Sequence, residues 1–422
     1  MNAREGQRIA VVGAGVSGLV TAMLLDRRHD VRVFEAASRL GGHTHTIEVE
    51  DPRGPRAVDT GFIVFNERNY PLFTRVLAHL GIESQPTDMS FSVRCDATGL
   101  EWAGSSSLNT VFGQRRNLAR PTFWGMLRDI RRFGREAPAV LADPNDARSV
   151  SAFAAERGYR RAFVEHYLLP LGASLWSCPE RRFAGFPVRF VVEFLGHHGM
   201  LQLGGRPQWR TVRGGSRRYV DAIRDRLHNP VRLASPVRAV RRRAGRVELH
   251  TDTATETYDQ VVLACHADQA LALLGDAATT TEREVLAAFP YEDNEAVLHT
   301  DTRALPRTRR CWAAWNHRRP STPTGRVSVT YNMNILQRLD AAETWCVTLN
   351  DAGNIDPARV ARRIRYAHPL YTHDRGRAQA RHTELIAQAG VSCCGAYWGY
   401  GFHEDGVRSA VAVARVLGGE AP

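Results

Sequence analysis

Residues 8–18, RIAVVGAGVSG, and residues 31–46, VRVFEAASRLGGHTHT, decide how this chain begins to fold. Arg8 to Val12 is short, apolar and ends in glycine, the pattern of a buried parallel strand. Gly13, Gly15 and Gly18 follow with G-x-G-x-x-G spacing. The first glycine permits a tight turn, the second lets backbone approach a pyrophosphate, and the third lets helix pack on strand. Leu19, Ala22, Met23 and Leu25 continue as a helix whose positive end would face that pyrophosphate. A second strand, Val31 to Phe34, delivers Glu35 where a carboxylate can accept a ribose hydroxyl. A glycine triplet alone is weak; set between strand and helix, with an acid at this distance, it predicts a dinucleotide site. The uncharged run Ile9 to Leu25 could suggest a signal peptide or membrane span, but its three glycines fit strand, turn and helix better. No other run is long enough, so the chain is expected not to cross a membrane.

Folds for NAD and FAD share all of this, and the next residues separate them. Glu35-x3-Arg39-x-Gly41-Gly42 resembles the second signature of the FAD-dependent amine oxidase and phytoene desaturase superfamily. In that superfamily the paired glycines pass the backbone close to the diphosphate and on toward the flavin. The resemblance implies FAD, taken as noncovalent, with contacts at Gly13, Gly15, Ser17, Gly18, Glu35, Arg39, Gly41, Gly42 and His43. Residues 395–417, GAYWGYGFHEDGVRSAVAVARVL, resemble the closing motif, with a helix starting at about Asp405 and its N–H groups facing the flavin pyrimidine edge. This assigns Gly395, Ala396, Gly401, Phe402, His403, Glu404 and Gly406 to the cofactor. By the same resemblance Thr60 and Gly61 lie near the flavin, Val237 touches adenine through backbone, and Ala264 ends a strand returning to the cofactor.

The implied fold is α/β (α+β overall): a Rossmann-like FAD-binding domain interrupted by a discontinuous substrate domain. The FAD domain is expected from residues 1–65, 206–265 and 390–422, with a mainly helical insertion at 66–205 and a second insertion at 266–389. Apolar residues three and four apart predict helices over Tyr70 to Leu80, Thr122 to Leu141 and Ser151 to Leu169. AVLHTD, CWAAWNH, VSVTYNMN and TWCVTLN alternate and carry aromatics, as the sheet floor of a substrate pocket would. Across almost its whole length the chain resembles a bacterial branch described as NAD/FAD-binding, amine-oxidase-like proteins, through stretches such as DTGFIVFNERNYPLFTRVLAHLGI and GYGFHEDGVRSA. Genes of that branch commonly neighbour methyltransferases resembling cyclopropane-fatty-acid synthase, so the resemblance implies lipid chemistry.

Composition narrows the chemistry. At 422 residues the chain is long for one core, so two domains are expected. All 56 basic residues counted as Lys plus Arg are arginine. Without lysine there is no Schiff base to a lysine and no lysine-held water beside a cofactor. A net charge of +12 suits an acidic partner; no nucleic-acid module is present in the sequence, and nucleic acid is not expected as a partner. No metal site is expected. Seven scattered cysteines suit a reduced cytoplasmic setting.

Two chemistries compete. In the amine oxidases a lysine holds water at flavin N5 and two aromatic rings sandwich the amine; here lysine is absent and Phe402 takes the place of the second tyrosine. The acid expected to contact the ribityl chain is Ala396. A desaturase, dehydrogenase or isomerase acting on an apolar chain suits Phe402 better, so hydride transfer with a fatty-acyl lipid is the leading expectation; a small amine or a non-lipid redox isomerisation is the alternative. His43, His45 and His403 are candidate proton acceptors, each more readily read as a cofactor contact or satisfied turn residue. Tyr397, Trp398, Tyr400 and Phe402 are candidate pocket aromatics; the tyrosines and Trp398 read equally well as core. In RPTFWGMLRDIRRFGRE, Phe123, Trp124, Leu127, Ile130 and Phe133 are read as one face and Arg128, Arg131, Arg132 and Arg135 as another. Such a helix can lie on an anionic membrane surface, here the inner face, or be an ordinary helix with solvated arginines.

Overall fold

The computed structural model describes residues 5–104, 107–202, 204–322 and 325–420. Four parallel strands form one sheet in the order Val391–Cys393, Gln260–Leu263, Arg8–Val12, Asp30–Phe34. Val12 is in register with both Phe34 and Leu263, and Leu263 with Cys393, so all four carboxyl ends line up. In open sheets of this kind ligands bind beyond those ends.

The alternation of Arg8–Val12 explains how the sheet is sandwiched. Ile9 and Val11 join a core with Leu19, Val407, Ala410 and Ala414, from helices Val16–Leu25 and His403–Val416. Ala10 and Val12 face Val240, Val247 and Leu249 on the other side, in the antiparallel sheet of Val237–Arg243, Arg246–Thr251 and Thr255–Tyr258. Both faces of Arg8–Val12 are therefore buried, which requires its near-continuous apolar sequence.

A seven-stranded sheet carries the second layer, in the order Val360–Pro369, Tyr291–His299, Cys346–Leu349, Ser328–Asn332, Trp315–Arg319, Phe91–Cys95, Leu100–Gly104. The last two strands come from the first insertion, joined by parallel pairing of Trp315–Arg319 with Phe91–Cys95. Reading that insertion as mainly helical misses their contribution, because two five-residue strands are outweighed by the helical period around them.

The helices depart from expectation for identifiable reasons. Pro71–Leu80 ends at Gly81, which takes the left-handed conformation. The second helix is Pro121–Glu136, followed by a 3₁₀ segment. The third stops at Glu156 before Gly158 (φ +61), and a new helical run starts at Arg161. Pro170 lacks an N–H, and a wide π turn at Val164–Leu168 precedes it. The carbonyl of His166, four residues before that proline, instead accepts the Trp102 indole N–H at 3.1 Å, tying this helix to the edge hairpin. Among the described residues no helix is long and apolar enough to cross a membrane.

Candidate active site

Two glycine turns lie back to back at the carboxyl ends of the parallel strands. Gly13 N–H donates to the Phe34 carbonyl and Gly41 N–H to the Ala14 carbonyl, both at 2.8 Å. A Cβ on Gly18 would lie 1.9 Å from the Gly13 carbonyl oxygen, so helix and turn can meet only at glycine. Gly15 is the opposite case: a Cβ there would meet no protein atom within 4 Å. The space above its backbone is open. Arg39 donates to the Gly42 carbonyl at 2.8 Å and holds the second turn. The Glu35 carboxylate accepts the N–H of Ala14 at 2.8 Å and of Ala37 at 2.9 Å, so it fixes the first loop; its remaining lone pairs are available to a ribose. Residues 232–235 run alongside, with Glu35 N–H donating to Arg232 and Ser235 N–H donating back to Glu35, which brings Val237 to the same end.

Beyond the second turn stands a cluster of neutral rings. The half-buried His43 ring lies 5.0 Å from Tyr366, 5.4 Å from His368 and 5.8 Å from His266. Its Nε2 is buried without a hydrogen-bond partner. Burial, reinforced by the neighbouring histidines and Arg39, holds its pKa well below the ordinary value. His45 Nδ1 and Thr60 Oγ1 both reach the Tyr366 hydroxyl, at 3.1 and 2.9 Å, and burial with Arg39 and Arg362 nearby lowers His45 to about 4. A Cβ on Gly61 would strike the His43 carbonyl, so the Thr60–Gly61 turn closes directly onto this segment. His266, stacked on Tyr291 at 4.4 Å, completes the group. Sequence reasoning misses Tyr366 and His368, although their two-residue spacing on a strand puts them on one face.

The closing motif separates its residues instead of gathering them at one edge. Its helix begins at His403, two residues earlier than expected. The buried His403 ring stacks on Phe62, and its Nε2 meets Thr44 Oγ1 at 3.0 Å and Tyr219 OH at 2.8 Å; burial lowers its pKa to about 3. Glu404 turns elsewhere: its carboxylate accepts the N–H groups of Leu72 and Phe73, in the first turn of Pro71–Leu80. Gly395 N–H donates to Ser409 Oγ, Ala264 N–H to the Val12 carbonyl, and Gly401 N–H to the Ala396 carbonyl. Gly406 sits where its helix crosses Val16–Leu25, and a Cβ there would lie 2.8 Å from Ser17 Oγ. Its role in the fold is helix packing.

The four candidate pocket aromatics divide into pairs. Tyr397 and Trp398 pack against Phe289, at 5.0 and 5.4 Å, in the core beneath the parallel sheet. Tyr400 and Phe402 point the other way, into an aromatic cluster with Phe190, Phe194 and Tyr371. Phe402 stacks on Phe194 at 5.5 Å and 21°, and Tyr400 lies 5.6 Å from Phe190. Arg375, which the sequence does not single out, holds the divide: buried, it lies 3.8 Å over the Tyr371 ring and donates to the carbonyls of Tyr397 and Gly399.

These residues fit a flavin dinucleotide. Gly15 leaves its cradle open, the Glu35 carboxylate beside it keeps lone pairs for a ribose, and the buried His43 Nε2 beyond the second turn has no partner in the protein. The profile of the flavin-containing amine oxidoreductases matches residues 16–417, and the chain belongs to that family. It is an FAD-dependent oxidoreductase with the two-domain amine-oxidase fold. A variant of putrescine oxidase superposes with a TM-score of 0.69 at 15% identity, over 98% of this chain and 99% of that one. Cyclohexylamine oxidase from Brevibacterium oxydans gives 0.66 at 16%, over 98% and 100%. A CLA-producing fatty acid isomerase from P. acnes gives 0.66 at 15%, over 97% and 98%. At such identities these likenesses establish the fold alone.

Proposed function

We propose that this flavoenzyme transfers hydride between FAD and a carbon atom of an apolar substrate, a fatty-acyl lipid, as a desaturase or dehydrogenase does. The observation that carries the reading is the stacking of Phe402 on Phe194 in an aromatic cluster of a chain that has no lysine. Bound FAD supplies a two-electron acceptor. The rings of Phe190, Tyr371, Tyr400 and Phe402 hold an alkyl chain by burial, at about 0.8 kcal/mol per methylene. His43 Nε2 is the unpartnered ring nitrogen of the cluster and the candidate to take a proton, whereas His403 Nε2 is taken by Tyr219 and Thr44 and serves to position them. Noncovalent cofactor binding is supported by the thiols nearest the closing motif: burial pushes Cys394 up to about 12 and Cys393 well above its ordinary value, leaving both protonated and inert. The fatty acid isomerase among the structural relatives is consistent with lipid chemistry on this fold.

A small amine is the second reading, favoured by the aromatic rings themselves, which can also hold a cation by its attraction to their faces. Anaerobic stopped-flow mixing separates the two. Unsaturated or branched fatty-acyl lipids should bleach the flavin, with rates falling steeply as the chain is shortened. Rapid bleaching by primary or secondary amines, with none by any lipid, would overturn the lipid reading.

A further inference from the structure

Helix Pro121–Glu136 does not carry the two faces its sequence suggests. Phe123, Met126 and Phe133 are buried, but Trp124 is 50% exposed and falls on the stripe of Arg128, Arg131 and Arg135, spaced four, seven and eleven residues onward. Six large apolar residues are exposed among the described residues, and three of them, Leu108 (75%), Leu118 (51%) and Trp124, lie within residues 108–124. They are neighbours in space. The Trp124 indole N–H donates to the Leu118 carbonyl at 2.9 Å, its ring is 5.0 Å from Phe112, and Phe112 N–H donates to the Leu108 carbonyl at 3.0 Å.

Positive charge surrounds this apolar tip. Arg128, Arg131 and Arg135 are exposed and make no ion pair among the described residues, whereas Arg132 is paired with Glu136 and Asp129 with Arg160. Beside the tip opens a cleft of about 450 Å³ lined in part by Arg115, Arg116 and Arg307. Arg115 and Arg116 donate to neutral carbonyl oxygens, so their charge is not cancelled there. The cleft's acids are engaged: Glu101 accepts the N–H groups of Arg307 and Thr308, and Asp96 is paired with Arg94 and Arg318. An exposed tryptophan and two leucines beside unpaired arginines form the interfacial pattern of a protein resting on lipid headgroups.

We propose that residues 108–135 form a docking surface for an anionic phospholipid membrane: Leu108, Leu118 and Trp124 enter the headgroup layer, the Arg128–Arg131–Arg135 stripe lies along it, and the cleft of Arg115, Arg116 and Arg307 receives a lipid phosphate. Charge complementarity selects this occupant, since a protein partner would not require so many unpaired arginines around so small an apolar tip. The inference does not depend on the substrate reading; an amine oxidase could dock in the same way.

The test is co-sedimentation of the FAD-loaded protein with vesicles of phosphatidylcholine alone or mixed with phosphatidylglycerol, with flavin absorbance of each variant reporting intact folding. Binding is expected only with the mixed vesicles. Arg128→Gln, Arg131→Gln and Arg135→Gln together should weaken it by about a hundredfold, at the usual strength of arginine near an anionic surface. Trp124→Ser with Leu118→Ser should weaken it at least about tenfold. Arg283→Gln, Arg359→Gln and Arg415→Gln remove equal charge from exposed positions elsewhere and should change it by less than about threefold. Absence of binding to mixed vesicles overturns the proposal. So does equal weakening by the two arginine triplets, or full binding by the Trp124 and Leu118 variant; either would reduce the contact to adsorption of a protein of net charge +12.

Discussion

The glycine cradle at Gly15 and the aromatic cluster at Phe402 take their shapes from different sources. The cradle is backbone: two turns, 13–18 and 41–42, joined by hydrogen bonds and by contacts that leave no room for a side chain at Gly13, Gly18 and Gly41. The cluster is side chain: Phe190 and Phe194 from one helix meet Tyr371, Tyr400 and Phe402 from segments far along the sequence. Backbone geometry is set by local sequence and tolerates little change. Packed rings can be exchanged one at a time. Cofactor identity should therefore be rigid in this molecule and substrate choice adjustable, and variants on the two sides should differ in both size and kind of effect.

The largest effect is expected at Gly15. Because a Cβ there meets no protein atom within 4 Å, Gly15→Val should fold normally yet fill the path of the pyrophosphate. The purified variant should be colourless with unchanged circular dichroism, and FAD affinity should fall by more than about a hundredfold, the cost of losing about 3 kcal/mol. Gly18→Ala, whose Cβ would collide with the Gly13 carbonyl, should instead be recovered poorly or unfolded. A yellow Gly15→Val protein would remove the cradle from the cofactor site.

Acid should separate the two regions next. Burial lowers His45, His198, His299 and His368 from 6.5 to about 4, and His403 to about 3. Above pH 6.5 these groups are neutral in folded and unfolded chains and contribute nothing. As pH falls below 6.5 the unfolded chain takes up protons that the folded chain cannot, so stability is lost progressively down to about pH 3–4. Asp59 and Asp405, raised to about 6 by burial, oppose this between pH 6 and 3.8 because the folded chain binds their protons first. Five histidines outweigh two carboxyls, and a net loss on the order of several kcal/mol is expected, since each tenfold change in a group's proton affinity on folding is worth about 1.4 kcal/mol. The melting temperature should drop steeply between about pH 7 and 4.5. His198→Phe, which keeps a ring against Phe194 but removes the titrating group, should make that drop shallower. A flat melting profile over this range would contradict the buried neutral cluster.

Glu35 comes third. Its carboxylate accepts two backbone N–H groups, at Ala14 and Ala37, and glutamine would turn an NH₂ donor toward one of them. Glu35→Gln should weaken FAD retention by about 1–3 kcal/mol, the range for a hydrogen bond to a charged group, through the loosened loop and the lost ribose acceptor together. Equilibrium titration of apoprotein with FAD measures this directly. Unchanged affinity would place the ribose contact elsewhere.

The same division governs what can be read from the sequence. The cradle is legible because its glycines, Glu35 and Arg39 lie within thirty-odd residues and each answers a local backbone demand. The parallel sheet and its two covering helices are legible for the same reason, through short periodic segments. The ring cluster is legible by half: His43 and His45 follow the glycine turn, but His266, Tyr366 and His368 reach it only through sheet pairing across more than two hundred residues. Glu404 shows the limit most clearly. Its position in a known motif suggests the flavin edge, yet its carboxylate caps a helix more than three hundred residues earlier in the chain, a contact no local pattern announces. Trp124 reads as buried because it is an aromatic among apolar neighbours, although its spacing from Arg128, Arg131 and Arg135 puts it on their face.

The smallest effect, and the one that tests substrate choice, belongs to Phe402. It is only half-buried and stacks on Phe194 at 5.5 Å, while its backbone N–H is held independently by Asp405 at 3.1 Å. Phe402→Leu should therefore leave the turn and the cradle intact and remove one aromatic pair, worth about 0.5–1.5 kcal/mol beyond area burial. FAD content should be unchanged. For a fatty-acyl substrate, leucine still buries methylenes, so KM should rise only about two- to tenfold and kcat should hold. For an amine gripped by ring faces, the same change removes the grip, and kcat/KM should fall further than the lost stacking accounts for. Steady-state kinetics on both substrate classes with this one variant thus measures which property of the aromatic cluster, its apolar bulk or its ring faces, the enzyme uses.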